Sequence, residues 1–233
     1  KTPIVARTIK TDVCVYGGTP AGVAAVLQLS RMGKTAVLLE PSGHLGGMSS
    51  GGLSHTDSGN KAAIGGISRE FYRRVGEKYG EKEEWDFEPH VAEEVFNEMA
   101  LESHAPVYFH EFIASVHKKG ARLVSIKMED GLTVQASEFI DATYEGDLMA
   151  KAGVSYTVGR ESNAKYGETL DGVQVRDKHQ FDLPVDPYVV LGDPASGLLP
   201  GINAEPPGPD GTGDHRIQAY NFRLCLTKDP KNR

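Results

Sequence analysis

The sequence predicts an α/β fold: a parallel sheet covered on both faces, an antiparallel β-meander, and an irregular C-terminal segment. Three observations carry this. An apolar run, a glycine-rich turn, a helical pattern and a second apolar run follow one another within residues 11–40. Residues 113–138 alternate apolar and polar positions and are split by Lys-Gly and Glu-Asp-Gly turns. After residue 155 glycine and proline become frequent and periodicity fades.

Each element follows from local chemistry. TDVCVYG (11–17) is apolar and β-branched enough for a short buried strand. PAGVAAVLQLSRMG (20–33) reads as a helix. Pro20 falls in its first turn, where a missing N–H costs nothing, and Gly33 ends it. TAVLLE (35–40) is a second strand that finishes on an acid. A polar, glycine-rich loop fills 41–60. Apolar residues at helical spacing then predict helices over 67–80 and 89–105. The acidic run EKEEWDFE (81–88) between them reads as a solvated linker. VYFHE (107–111) is a short strand, and IASVHKK, ARLVSIKME and LTVQASE form the meander. FIDAT (139–143) is expected as a further buried strand, and EGDLMAKAG (145–153) turns into a helix. IQAYNFRLCLT (217–227) fits strand or helix.

The bulk properties exclude several classes. With 233 residues, 39% of them hydrophobic and 24% charged, the chain can bury a core of ordinary globular type. A net charge of −7 argues against a general nucleic-acid surface. No apolar run approaches the ~18 residues of a membrane span. Cys14 and Cys225 are far apart, and no Cys/His group has zinc spacing, so neither a disulfide framework nor a metal site is expected. Cys14 reads as a small buried thiol in a strand.

The stretch VYGGTPAG (15–22) carries the first chemistry. In a dinucleotide-binding βαβ unit, glycines permit the tight turn, the approach of backbone to a pyrophosphate and close helix–strand packing. The helix N-terminus then receives the phosphates. Gly17 and Gly22 hold the first and third glycine places, Gly18 adds freedom, and Thr19 occupies the middle place, with a hydroxyl able to donate to a phosphate. Glu40 lies 23 residues after Gly17, where an acid accepts hydrogen bonds from adenosine ribose hydroxyls. The other reading is a βαβ unit with a glycine-rich turn and no nucleotide.

DVCVYGGTPAG, AVLLEPSGHLGGMSSGGL, the meander and FIDATYEGDLMAKAG together resemble the FAD-dependent oxidoreductases with a glutathione-reductase-like flavin domain. The resemblance is to the branch of which some members carry the name xanthan lyase, and it extends through GDPASGLLPG to QAYNFRLCLT. It implies a three-layer Rossmann-like FAD-binding domain, with the meander as crossover, over 1–155. It also implies a loop-rich substrate or cap segment over 156–233, expected to be incomplete. FAD is the implied cofactor. Gly17, Gly18, Thr19, Pro20, Ala21 and Gly22 match the pyrophosphate loop, and Glu40 the ribose-binding acid, with Pro41 and His44 following it. Gly46 and Gly47 match a pair whose backbone passes beside FAD, with Met48 and Ser49 after them. Gly51, Gly52 and Leu53 match the stretch that approaches the isoalloxazine. Asp141, Ala142 and Thr143 match the strand end that contacts the cofactor, with Gly146 and Asp147 just beyond. Tyr144 stands where many relatives have glycine, so a side chain must be accommodated near the adenine side. No second G-x-G-x-x-G unit for a nicotinamide is visible.

His44 and His55 flank the glycine-rich loop, either as flavin-linking or proton-shuttling groups or as hydrogen-bonded loop histidines. His90, His104, His110 and His117 read as structural or surface residues. In the tail, His215, Tyr220 and Arg223 are candidate catalytic residues, and Arg160, Arg216 and Asn221 candidate holders of a small anionic or polyhydroxylated substrate. A purely structural role for these groups is the alternative. Two functions stay open: a flavoenzyme taking a hydride from a small organic substrate such as a sugar or hydroxy acid, and a FAD- or nucleotide-binding module with a non-redox role. A polysaccharide lyase finds no support. The expected partners are a small molecule and a second chain or further segment that completes the FAD site, with neither nucleic acid nor membrane. The chain starts at Lys1, as a removed signal peptide or trimming would leave it, and periplasmic, secreted and cytoplasmic locations stay open.

Overall fold

The computed structural model describes residues 7–53, 55–56, 59–178, 183–217, 226 and 228–232. Strand β1 (Arg7–Tyr16), helix α1 (Pro20–Arg31) and strand β2 (Ala36–Glu40) make the opening βαβ unit. The 41–60 loop contains a four-residue helix, α2 (Gly47–Ser50). Helices α3 (Gly66–Tyr79) and α4 (Pro89–Glu102) follow, then β3 (Val107–Phe109), β4 (Ile113–Lys119), β5 (Arg122–Met128), β6 (Leu132–Asp141) and the short α5 (Asp147–Lys151). The sheet runs β3-β2-β1-β6-β5-β4. β1 pairs in parallel with β2 and β6, and β2 with β3, while the β4–β5 and β5–β6 pairs are antiparallel.

The strand pleat divides the core in two. Val13, Val15 and Leu38 face α1, α3 and α4, where Val23, Val26, Leu27, Val75, Val95 and Phe96 are buried. Cys14, Tyr16, Val37 and Leu39 point the other way, into Ile126, Met128, Leu132 and Val134 of the meander. Helices, sheet and meander are therefore three layers, and β2, buried at every residue, reads in sequence as an unbroken apolar run. Burial pushes the Cys14 thiol up to about 12, so it stays protonated and inert.

Two expectations need correction. FIDAT is not a separate strand: Phe139, Ile140 and Asp141 are the end of β6, continuous with LTVQASE. Nothing between Ser137 and Phe139 breaks an extended backbone, and β1 pairs along the whole length, from Arg7↔Leu132 to Tyr16↔Asp141. Nor is its end fully buried. β5 pairs only with Thr133, Val134 and Gln135, so residues 137–141 have one strand neighbour among the described residues. The run EKEEWDFE is no solvated linker either. Trp85 and Phe87 are buried, Trp85 stacking on Tyr72 (centroids 4.0 Å apart) and Phe87 meeting Phe71 edge-on. The rings turn inward with the exposed Asp86 between them, and the partly covered Glu83, on the same side of the chain, pairs with Arg69.

The three helices are also tied by charge. Glu70 of α3 accepts from Arg31 of α1 through both oxygens at 2.8 Å and from Arg74 at 2.5 Å; both arginines also reach Glu102 of α4. Arg31 beside it, with Arg74, holds the Glu70 carboxyl down at about 2. A lowered carboxylate pKa stabilises the fold above the unfolded value of 4.5, and that contribution disappears as pH falls through about 2. Glu70→Gln is therefore expected to lower the melting temperature at pH 7 by about 2–4 °C, for a partly exposed network worth about 1 kcal/mol. In a pH series of thermal melts, wild type and variant should converge between pH 4.5 and 2. A constant gap across that range would contradict the assignment.

A second compact unit begins at Tyr156. It contains a one-turn helix, α6 (Asn163–Tyr166), and a hairpin of β7 (Tyr188–Val190) and β8 (Asp193–Leu198). The glycine- and proline-rich tail thus holds more regular structure than its composition suggests. Of IQAYNFRLCLT, residues 218–225 and 227 lie outside the described residues.

Candidate functional site

The carboxyl ends of β1, β2 and β6 meet at a cleft of about 670 Å³, within the usual range for ligand sites. Each strand end contributes a turn. Tyr16 leads into Gly17, whose backbone has φ +106° and lies so close to the β6 exit that a Cβ would be 2.7 Å from the Thr143 nitrogen. Gly22, in the first turn of α1, sits directly on the Gly17 carbonyl, where any side chain would overlap that oxygen. These two positions accept only glycine, the first for its backbone angle and the second for close packing.

Thr19 is the N-cap of α1. Its hydroxyl accepts from the Gly22 amide at 3.4 Å and donates to the Ala142 carbonyl at 2.7 Å. The expected hydroxyl-to-phosphate donation is thus corrected: that proton is already taken inside the protein. What the turn offers instead is backbone. The Thr19 and Ala21 amides have no acceptor among the described residues, Pro20 has no N–H, and the first turn of α1 holds no acid. Free amides at the head of a 12-residue helix suit an anion.

Glu40 is buried at the end of β2. One carboxylate oxygen accepts from the Gly18 amide at 2.5 Å and the other from the Ser42 amide at 2.6 Å. The side chain pins the turn after β1 to the loop after β2 and lines the cleft, where its remaining lone pairs could accept from hydroxyl donors. Pro41 and Ser42 continue this wall. Gly18 also packs on Leu45, and its carbonyl accepts from the Gly46 amide at 2.8 Å.

The loop behind HLGG forms the opposite wall. Gly47, Gly51 and Gly52 line the cleft, and Gly46 lies against the Phe96 ring. Met48 is exposed, Ser49 donates its amide to the Gly46 carbonyl, and Leu53 donates to Met48. At the β6 exit, Asp141 accepts from the Thr143 amide and hydroxyl and, with its other oxygen, from the Met149 amide. Thr143 in turn accepts from the Gly146 and Asp147 amides, capping α5, and the Asp147 side chain is exposed. Ala142 receives Thr19 and donates to the Tyr16 carbonyl at 2.7 Å. Tyr144 makes its contacts with Gly47 and Met48, in the HLGG loop, whereas Glu40 and Ser42 form the other end of the wall.

Both loop histidines are hydrogen-bonded. His44 Nδ1 is 2.7 Å from Glu93 of α4, and His55 pairs with Asp86. Glu93, Pro89, Ser50 and Glu145 also line the cleft, and sequence reasoning missed them. Pro89 and Glu93 arrive on α4 by tertiary packing and carry no local signal.

In the second unit Arg160 is bound to Asp214 by two parallel guanidinium bonds and a backbone bridge, and this partner keeps the Asp214 carboxyl low. The guanidinium therefore closes a loop rather than standing free for a substrate. Arg216 reaches the Pro206 carbonyl and Glu205, and His215 is exposed. Tyr220, Asn221 and Arg223 lie outside the described residues.

The cleft fits a dinucleotide: unsatisfied amides for phosphate, a buried carboxylate for hydroxyls, and a glycine wall for a flat ring. Among the described residues no lysine or arginine lines it, so an anion there would meet the amides and the α1 dipole. The sequence pattern of the family described as FAD dependent oxidoreductase matches residues 12–233. The chain belongs to this family. Its cofactor is FAD.

Among solved structures, this family member is similar to the L-proline dehydrogenase of P. horikoshii, at 15% identity and a TM-score of 0.49 over 68% of this chain and 59% of that one. It is also similar to a geranylgeranyl bacteriochlorophyll reductase-like protein of Thermoplasma acidophilum, at 22% identity and 0.46 over 64% and 43%. A third is the L-amino acid deaminase of Proteus vulgaris, at 14% and 0.45 over 70% and 54%. The chain thus spans about half the length of each of these proteins. Comparison with the curated proteins finds no match.

Proposed function

We propose that this oxidoreductase takes a hydride from a small organic substrate, a sugar or hydroxy acid, onto FAD held in the β1–β2–β6 cleft. The observation that carries the reading is Glu40. It is a buried carboxylate, fixed by two backbone amides, and it lines the same cleft as Thr19 at the head of α1. FAD supplies the two-electron acceptor at its ring; the chain binds, orients and shields it. The α1 amides hold the diphosphate, Glu40 the adenosine ribose, and Gly51 and Gly52 leave room for the ring. His215, Tyr220 and Arg223 are the proposed catalytic residues and Arg216 and Asn221 the proposed substrate residues, while Arg160, tied to Asp214, is proposed to hold the loop that carries His215 and Arg216. The FAD-binding domain is proposed over 1–155 and the substrate segment over 156–233. A further segment or second chain is proposed to complete the site in the whole protein.

The test is an anaerobic titration of the FAD-loaded protein. Aldoses, polyols and 2-hydroxy acids are added in turn while the flavin bands are followed. Bleaching by one of these classes, matched by one equivalent of oxidised product, is the expected result. A protein that takes up FAD but is bleached only by dithionite would be a binding module instead, and one that takes up no FAD would defeat both readings.

A further inference from the structure

Tyr144 bridges the two sides of the cleft. It follows Thr143, whose nitrogen is the near neighbour of Gly17, and its ring extends to the opposite loop. There its phenol oxygen accepts the Met48 amide at 2.9 Å, and a Cβ on Gly47 would lie 2.9 Å from its ring carbons. Only glycine at 47 permits that approach. The side chain lines the cleft beside Gly17 and Thr19 and is about half exposed, at 53%.

A phenol oxygen that accepts one hydrogen bond still has a proton to give. Among the described residues the Tyr144 O–H has no acceptor. Receiving the Met48 amide polarises the O–H and makes it a stronger donor, most of all toward an anion. Among the described residues no lysine or arginine lines the cleft to meet that anion. Resting on the dinucleotide reading above, we infer that Tyr144 donates its phenolic proton to the FAD diphosphate while keeping the Met48 amide. The cofactor's anionic middle is then held from the α1 side by backbone and from the β6 side by this hydroxyl. The residue also links the phosphate region to the HLGG loop, so cofactor binding orders both.

The experiment compares wild type and Tyr144→Phe in binding FAD, ADP and adenosine, by flavin fluorescence for the first and by calorimetry for the others. The variant removes one oxygen and keeps the ring. FAD and ADP affinity should fall by the same factor, about 10- to 100-fold for a lost bond to a charged group, while adenosine affinity stays unchanged. Equal FAD affinity in variant and wild type would overturn the inference. So would a matching loss for adenosine, since the hydroxyl would then only prop the loop. The ratio of ADP to adenosine loss keeps the answer decisive even if the apo variant melts lower. Failure of the wild type to bind FAD, by contrast, would defeat the dinucleotide reading itself, and this inference with it.

Discussion

Gly22→Ala is expected to abolish FAD binding and to lower the unfolding temperature of the apo protein. The added methyl would fall on the Gly17 carbonyl oxygen and would also reach the Ala142 side chain, 3.4 Å away. Neither the turn nor β6 can yield independently. Gly17 is held by its amide to Leu39, and Ala142 by its amide to Tyr16. The head of α1 must therefore lift. That movement strips Thr19 from the Ala142 carbonyl and shifts the head of α1 away from the cleft that Thr19 lines. Overpacking of this kind costs about 1–3 kcal/mol, or roughly 3–10 °C in a domain of this size. Absorbance titration with FAD and a thermal melt measure both consequences. A variant that binds FAD within about twofold of wild type would show that the cofactor does not use this turn.

Glu40→Gln should produce the second-largest effect, and by another route. The carboxylate presents an acceptor to each of two backbone amides, Gly18 and Ser42. Glutamine keeps one acceptor and turns an NH₂ toward the other amide, placing donor against donor in a buried site. Leaving a buried amide unsatisfied costs about 1–3 kcal/mol. On the reading that Glu40 also accepts from the ribose, FAD binding loses a charge-assisted bond as well, and its Kd should rise about 100-fold. Glu40→Asp separates the two roles: it keeps the charge but cannot span both amides. If the glutamine variant melts lower yet binds FAD normally, Glu40 is a structural pin only.

The fold was legible where one element's chemistry is local. The βαβ unit announced itself because β2 is buried at every position and Pro20 and Gly33 bracket α1 within one short stretch. Glu40 was legible by its place at a strand end. What escaped depends on partners distant in sequence. The Thr19 hydroxyl is taken by Ala142, 123 residues away, so no local reading could tell a phosphate donor from an N-cap tied to another strand. His44 meets Glu93 across 49 residues, and Arg160 meets Asp214 across 54. In each case the residue type was informative and its partner was not. The acidic run before α4 misled for a different reason: its charges dominate the composition, whereas the two rings between them determine the packing.

The lining of the cleft has one more consequence. Glu40, Glu93 and Glu145 line it, and among the described residues no lysine or arginine does. Such a lining would discriminate by charge count. The free amides would suit a diphosphate, but each additional phosphate would meet carboxylates with no cation among the described residues to offset it. Nucleoside triphosphates and 2′-phosphorylated dinucleotides are therefore expected to compete poorly with FAD, and a displacement titration with each measures it.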